Sequence, residues 1–237
     1  MLGICFIDKF SIKTLAIVER LGTYYKIFSA VIKTGNQNKR KRMERFEALR
    51  QLLSEDRSIR RFEQSRRIGM EILTELVDLT RFCASGRNMQ PLRYRIVDSE
   101  ADCAMVYPLL AWAGYFTDWD GPEDGERPSA YLVQCLDTRY GSNCLCDDGL
   151  QLQALTLGAR SLGIGACIIK AFNAPELKRI LNLPDGIEPR YVLALGYPAE
   201  KPIIVDTDGT PDADIRYYRT PDGVHHVPKR PLSEIIL

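Results

Sequence analysis

Asp56-Arg57-Ser58-Ile59-Arg60 sets two guanidiniums and a hydroxyl within five residues. A guanidinium fork matches phosphate geometry, and a serine adds one more donor. Taken alone, the pentapeptide also reads as a solvated arginine-rich loop, because Arg61, Arg66 and Arg67 follow closely. Two later stretches narrow the choice. Ala84-Ser85-Gly86-Arg87-Asn88-Met89-Gln90-Pro91 offers small residues for close backbone approach and an asparagine with both donor and acceptor. Pro228-Lys229-Arg230-Pro231 adds two cations near the end of the chain. Three segments far apart in sequence thus carry the groups that an elongated anionic ligand needs.

Outward from these stretches, helices and strands alternate. Phe46, Leu49, Leu52 and Leu53 share one face of a helix over 44–53, and Ile68, Ile72, Leu76, Leu79 and Phe82 define a second over 68–83. A strand is predicted at 92–97. A helix at 104–113 leads into an aromatic loop with Tyr115, Phe116 and Trp119. Gly121-Pro122 and the acids behind it mark a turn. After an apolar strand at 130–136, Asp147 or Asp148 is expected to cap a long helix reaching about residue 162. Its leucines and alanine (Leu150, Leu152, Ala154, Leu155, Leu157) lie nearly all round it, which predicts burial. Strands at 164–169 and 191–195 flank a short helix capped by Asn173 and opened by Pro175. The tail after Pro198 is rich in Pro, Gly and Asp, and is expected to wrap over a surface without a core of its own.

Composition removes several classes. With 237 residues, 45% of them hydrophobic, the chain can bury a substantial core. Up to Arg42 it carries nine Lys/Arg against Asp8 and Glu19; the remainder holds 23 basic and 29 acidic residues and shows no nucleic-acid footprint. Residues 1–42 read as an N-terminal extension, with Met43 as the start of a domain over 43–237; a basic amphipathic helix resting on a membrane is the other reading of that segment. Lys9, Lys13, Glu19, Arg20 and Lys26 interrupt every apolar run, so no membrane span is expected. An odd cysteine count, seven, points to a reducing compartment and a cytoplasmic location. Cys144-Leu-Cys146 lacks the usual metal-ligand spacing and a second Cys/His cluster, so no metal is expected. Gly163-Ile164-Gly165 precedes a strand and lacks the third glycine of a dinucleotide fingerprint.

In their order and separation, the three opening stretches resemble the flavin-binding marks of the nitroreductase family of FMN-dependent oxidoreductases. The resemblance covers about residue 46 to the C-terminus. It implies an α+β fold, a mixed, mainly antiparallel sheet flanked by helices, in an intertwined homodimer with FMN at the interface. It implies FMN contacts from Arg57, Ser58 and Arg60, and from Lys229 and Arg230 at the phosphate. Ala84, Ser85, Gly86, Asn88 and Gln90 would reach the flavin held mainly by the other subunit. Main chain at Ile168, Ile169, Lys170 and Ala171 would run beside the ring. The implied activity is ping-pong reduction of nitroaromatic, quinone or enone acceptors with hydride from NADH or NADPH, with no catalytic side chain named. Tyr115, Phe116 and Trp119 are the candidate substrate cover, set against an equal reading as core packing; the Tyr217-Tyr218 pair is a weaker candidate.

The chain departs from the family pattern at three places. Asp56 stands where many relatives carry another arginine, Leu92 replaces a common tryptophan, and Cys83-Ala84 replaces a proline-containing turn. Two other readings stay open at this point: a flavin-binding sensor or storage protein without turnover, and a flavin-free module whose arginine loop and tail bind an acidic partner.

Overall fold

The computed structural model describes residues 40–210 and 214–237. Most of the expected N-terminal extension, residues 1–39, lies outside the described residues, and the chain divides after Gln51 into two compact units. Helix α1 spans 40–55 and is continuous through residue 43. Arg40 pairs with Glu44 at 3.0 Å and Arg50 with Glu47 at 3.8 Å, one turn apart, while Met43, Phe46 and Leu49 on the same helix are exposed.

The second unit is built on an antiparallel sheet in the order β1-β2-β4-β3, with β1 Leu92–Val97, β2 Ala130–Asp137, β3 Gly165–Ile169 and β4 Ile187–Gly196. Strand β2 is buried at every position because helices cover both faces. The alternation of side chains across a strand sorts the core in two. Tyr131, Val133, Val192 and Ala194 face one way and pack with Val106 of α3 (Glu100–Val106) and Leu177 of α5 (Ala174–Ile180). Leu132, Leu193 and Leu195 face the other way and pack with Leu73 and Leu76 of α2 (Met70–Leu79) and Leu155 of α4 (Asp147–Ser161).

This is the expected α+β architecture, with corrections in detail. The helix predicted at 104–113 begins at Glu100, because the Ser99 hydroxyl accepts from Asp102 N at 3.0 Å as its cap. It ends at Val106; Pro108 stands in a 3₁₀ turn over Tyr107–Leu109, and Leu110 bridges to Phe172. In α4 the cap position belongs to Cys146, and Asp147 and Asp148 stand inside the first turn. That helix is buried along one side only; Leu150 is 44% exposed. Asn173 caps α5 as expected, accepting from Glu176 N at 3.2 Å.

The tail differs most. It forms a three-stranded sheet, β5 (Ile203–Asp206), β7 (His225–Lys229) and β6 (Tyr218–Arg219), with β5 and β7 parallel. The strands are short and one contains Pro228, so a turn-rich composition hid them. No helix among the described residues is long and apolar enough to cross a membrane.

Candidate functional site

After α1 the chain runs along the free edge of β3. Ser58 bridges Ala166 in parallel fashion, and Ile59 N donates to Ala166 O at 2.9 Å. Two glycines make this approach possible. A Cβ on Gly165 would lie 2.8–3.0 Å from Ile59, and one on Gly196 would lie 2.8–3.0 Å from Phe62. The arginine segment is therefore part of the sheet edge and not a solvated loop; Arg60 is only 8% exposed.

A cavity of about 220 Å³ opens beside this edge. Arg57, Ser58 and Arg60 line it, with Ala166 and Ile168 from β3, Gln153 and Thr156 from α4, and Val227 and Lys229 from β7. Three cations from two distant parts of the sequence thus meet one opening. Burial and the neighbouring Arg57 charge both push the Lys229 ammonium below its usual range. Like charges held together in this way favour an anion between them. Arg57 Nη2 donates to Leu53 O at 2.7 Å, yet among the described residues its Nε is buried without a partner, and so is Nε of Arg60. Asp56 lines the same cavity, with its carboxylate accepting from Thr156 Oγ1 at 2.6 Å and Gln153 Nε2 at 2.8 Å.

At the far end, the tail and the aromatic loop form one wall. The Arg60 guanidinium lies 4.7 Å over the Tyr217 ring. Tyr217 packs on Tyr115 at 4.9 Å and on Phe116 at 5.1 Å, and His225 packs on Phe116 at 5.5 Å. Arg219 covers Phe116 and Trp119 at 4.9 and 4.7 Å. A buried acid ties this wall to the arginine segment: Glu200 accepts from Arg60 N at 2.5 Å and from Arg219 Nη2 at 3.0 Å. Of the three expected cover residues, Phe116 comes nearest the cavity through Tyr217 and His225; Tyr115 is 55% exposed.

The Ala84–Gln90 stretch is placed elsewhere, against the N-terminal turn of α4. Fully buried Asp147 accepts from Ser85 Oγ at 2.6 Å and from Gly86 N at 2.9 Å. Ser85 Oγ in turn accepts from Gln90 N at 2.9 Å, and Gln90 Nε2 donates to Asn88 Oδ1 at 3.0 Å. Arg87, Asn88 and Gln90 all have φ near +50°, a region that costs most side chains energy. Ala84, Asn88 and Gln90 are exposed.

Other expected residues are distributed as β3 alternation requires. Ile168 lines the cavity, whereas Ile169 faces the core. Lys170 Nζ donates to Arg190 O at 3.0 Å and lies 4.3 Å over Tyr191; Ala171 O accepts from Ala111 N at 2.9 Å. Arg230 donates to Glu234 Oε2 at 2.6 Å, while Lys229 faces the cavity. Cys144 is buried and Cys146 exposed. Sequence reasoning passed over Gln153, Thr156, Val227 and His225. Counting back by twos from Lys229 would have found the last two, had the strand been recognised.

Comparison with known proteins adds independent information. The model of the Nitroreductase family matches residues 146–197, which cover α4, β3, α5 and β4. A Methanothermobacter thermautotrophicus protein carrying the name NADH dehydrogenase/NAD(P)H nitroreductase is 24% identical over 152 residues, covering 62% of this chain and 75% of its own. A solved structure of the same name from Parabacteroides distasonis is 25% identical, with TM-score 0.52, covering 64% of this chain and 87% of that one. The NADPH:FMN oxidoreductase of Vibrio harveyi, solved with NAD+, is 20% identical, with TM-score 0.53 over 65% of this chain and 70% of its own. Motif order, sheet order, the match over residues 146–197 and the relatives agree: the chain is similar to the nitroreductase family.

Proposed function

We propose that this protein is an FMN-dependent oxidoreductase that takes hydride from NAD(P)H. The observation that carries the reading is the meeting of Arg57, Ser58, Arg60 and Lys229, from both ends of the domain, around one cavity. The groups present suit the cofactor. Arg57, Lys229 and the Ser58 hydroxyl hold its phosphate, and the unpartnered Nε atoms of Arg57 and Arg60 are donors still to be used. Arg60 supplies fixed positive charge near the ring, which favours a reduced, anionic ring. Support comes also from the printed names of relatives, which include an NAD(P)H nitroreductase and an NADPH:FMN oxidoreductase.

When bound, FMN supplies the redox chemistry, accepting hydride from NAD(P)H and passing it to a nitroaromatic, quinone or enone acceptor in a second half-reaction. The protein would orient both reactants in turn, the loop of Tyr115, Phe116 and Trp119 serving to cover the acceptor and main chain at 168–171 to line the ring. The active species is a homodimer of the domain over 43–237, in which Ser85–Gln90 of each subunit serves the other's cofactor. Exposed Phe82 (77%), Leu145 (58%) and Leu150 (44%) near that segment support an apolar interface there. All six cysteines among the described residues are free, which fits a reducing, cytoplasmic setting.

An anaerobic visible spectrum of the protein with FMN, recorded before and after NADH or NADPH, tests the reading. A bound flavin spectrum that bleaches is expected. A flavin spectrum that persists with both nucleotides would instead mark a sensor or store, and protein that retains no flavin would sink the assignment. Light scattering across a concentration series is expected to give the mass of a dimer.

A further inference from the structure

Strand β7 runs along the cavity, and every second residue of it faces inward: Lys229, then Val227, then His225. Lys229 and Arg57 mark the anionic end. His225 lies four residues away on an extended strand, ~13 Å at the usual rise. Its surroundings are those of the opposite end, with Arg60 and Tyr217 lining the same cavity and Phe116 packed 5.5 Å from its ring. His225 is 2% exposed, yet neither ring nitrogen has a partner among the described residues. Burying both nitrogens of an imidazole unpaired is costly, and native structures rarely leave such a group without a use. His225 lines the cavity, and Phe116 and Tyr217 pack against its ring at 5.5 Å.

We propose that His225 is a hydrogen-bonding contact for the polar edge of the flat ring whose phosphate end Arg57 and Lys229 hold. The inference rests on the flavin reading above. A neutral imidazole carries one donor and one acceptor. The pyrimidine edge of a flavin alternates carbonyl and N–H groups, so it can use both. Burial, together with Arg60, Arg219 and His226, pushes the imidazole down to about 4, which keeps it neutral at pH 7. Arg60 then supplies the charge at this end and His225 the uncharged hydrogen-bonding geometry. The side chain binds and orients; no proton transfer is assigned to it.

Binding of riboflavin, which lacks the phosphate, separates the two ends. The full-length protein, freed of bound flavin, is titrated at pH 7 with FMN and with riboflavin, as wild type, His225→Phe and His225→Gln. His225→Phe is expected to weaken both ligands by the same factor, about tenfold or more, and His225→Gln to restore most of the loss. Near-UV circular dichroism of each variant confirms the fold. Unchanged affinities in His225→Phe overturn the proposal. A loss confined to FMN also overturns it, by placing the side chain at the phosphate, and so does a loss that glutamine fails to restore, by making the role one of packing. Wild-type protein that binds neither ligand overturns the flavin reading itself, a result distinct from the other three.

Discussion

The two glycine-assisted motifs sit at different places along the same helix, and the structure treats them differently. Arg57–Arg60 lies where Gln153 and Thr156 of α4 line the cavity, and it is joined there by the tail. Ser85–Gln90 is fastened to Asp147, about nine residues or ~14 Å back along α4. The first motif is completed within its own unit, with cations, hydroxyl and aromatic wall all supplied by residues after 51. The second is held just as firmly, in a costly backbone conformation, yet presents Asn88 and Gln90 to solvent. Strained backbone of this kind clusters at ligand clamps and switch regions.

Asp147 is the sharpest place to break this comparison. Replacing it with alanine strips the acceptor from Ser85 Oγ and Gly86 N at once. Each lost charge-assisted bond is worth ~1.5–3 kcal/mol, so Asp147→Ala is expected to cost about 3 kcal/mol in urea unfolding. A cost under about 1 kcal/mol would mean that the loop holds its shape without the carboxylate.

The next effect separates cavity arginines from surface ones. Arg57→Ala is expected to weaken FMN binding by ~1.5–3 kcal/mol, roughly tenfold to more than a hundredfold. Arg66→Ala should leave it unchanged, because the Arg66 guanidinium stacks 3.4 Å over Tyr197 and pairs with Glu63. Equal effects in a fluorescence titration would remove Arg57 from the site.

How much of this was legible depends on which physical signal each part leaves in sequence. Strand β1 and the capped helix α5 follow from local alternation and from Asn173-Ala174-Pro175, and both stand as expected. Arg57 and Lys229 announce their charge, and although 172 positions part them they line one cavity. His225 announces nothing. Its significance comes from the register of β7 and from burial beneath Phe116 and Tyr217, which are tertiary facts. Local sequence makes Asp147 or Asp148 the expected cap, because aspartate before an apolar run usually is one; the contact of Asp147 to a loop sixty residues earlier outweighs that preference.

His225 also gives the tail end of the cavity a pH signature. Its proton affinity in the folded chain falls from 6.5 to about 4. Between those values the unfolded chain takes up a proton that the folded one refuses, so stability is full above about 6.5 and declines as pH falls toward 4. Glu126, held low by its bond to Arg61, adds loss in the same direction but is present in any variant of residue 225. Wild type is therefore expected to lose more melting temperature between pH 7 and 4.5 than His225→Phe does. The gap should be a few degrees, at ~2–4 °C per kcal/mol for a chain of this size. Parallel melting curves would show that the imidazole titrates as freely in the folded state as in the unfolded one.

Asp56 yields the smallest effect and the finest test of the cavity's charge. It places a carboxylate on the wall that Arg57 and Lys229 make positive, and Thr156 and Gln153 hold it there. An amide at this position keeps an oxygen for Thr156 while removing the negative charge. A partly exposed charge of this kind is worth ~0–1 kcal/mol, so Asp56→Asn is expected to tighten FMN up to about fivefold. Riboflavin affinity should not move, because the charge acts on the phosphate. Should riboflavin tighten as well, Asp56 would lie nearer the ring than the phosphate, and the direction in which the ligand lies along β7 would be reversed.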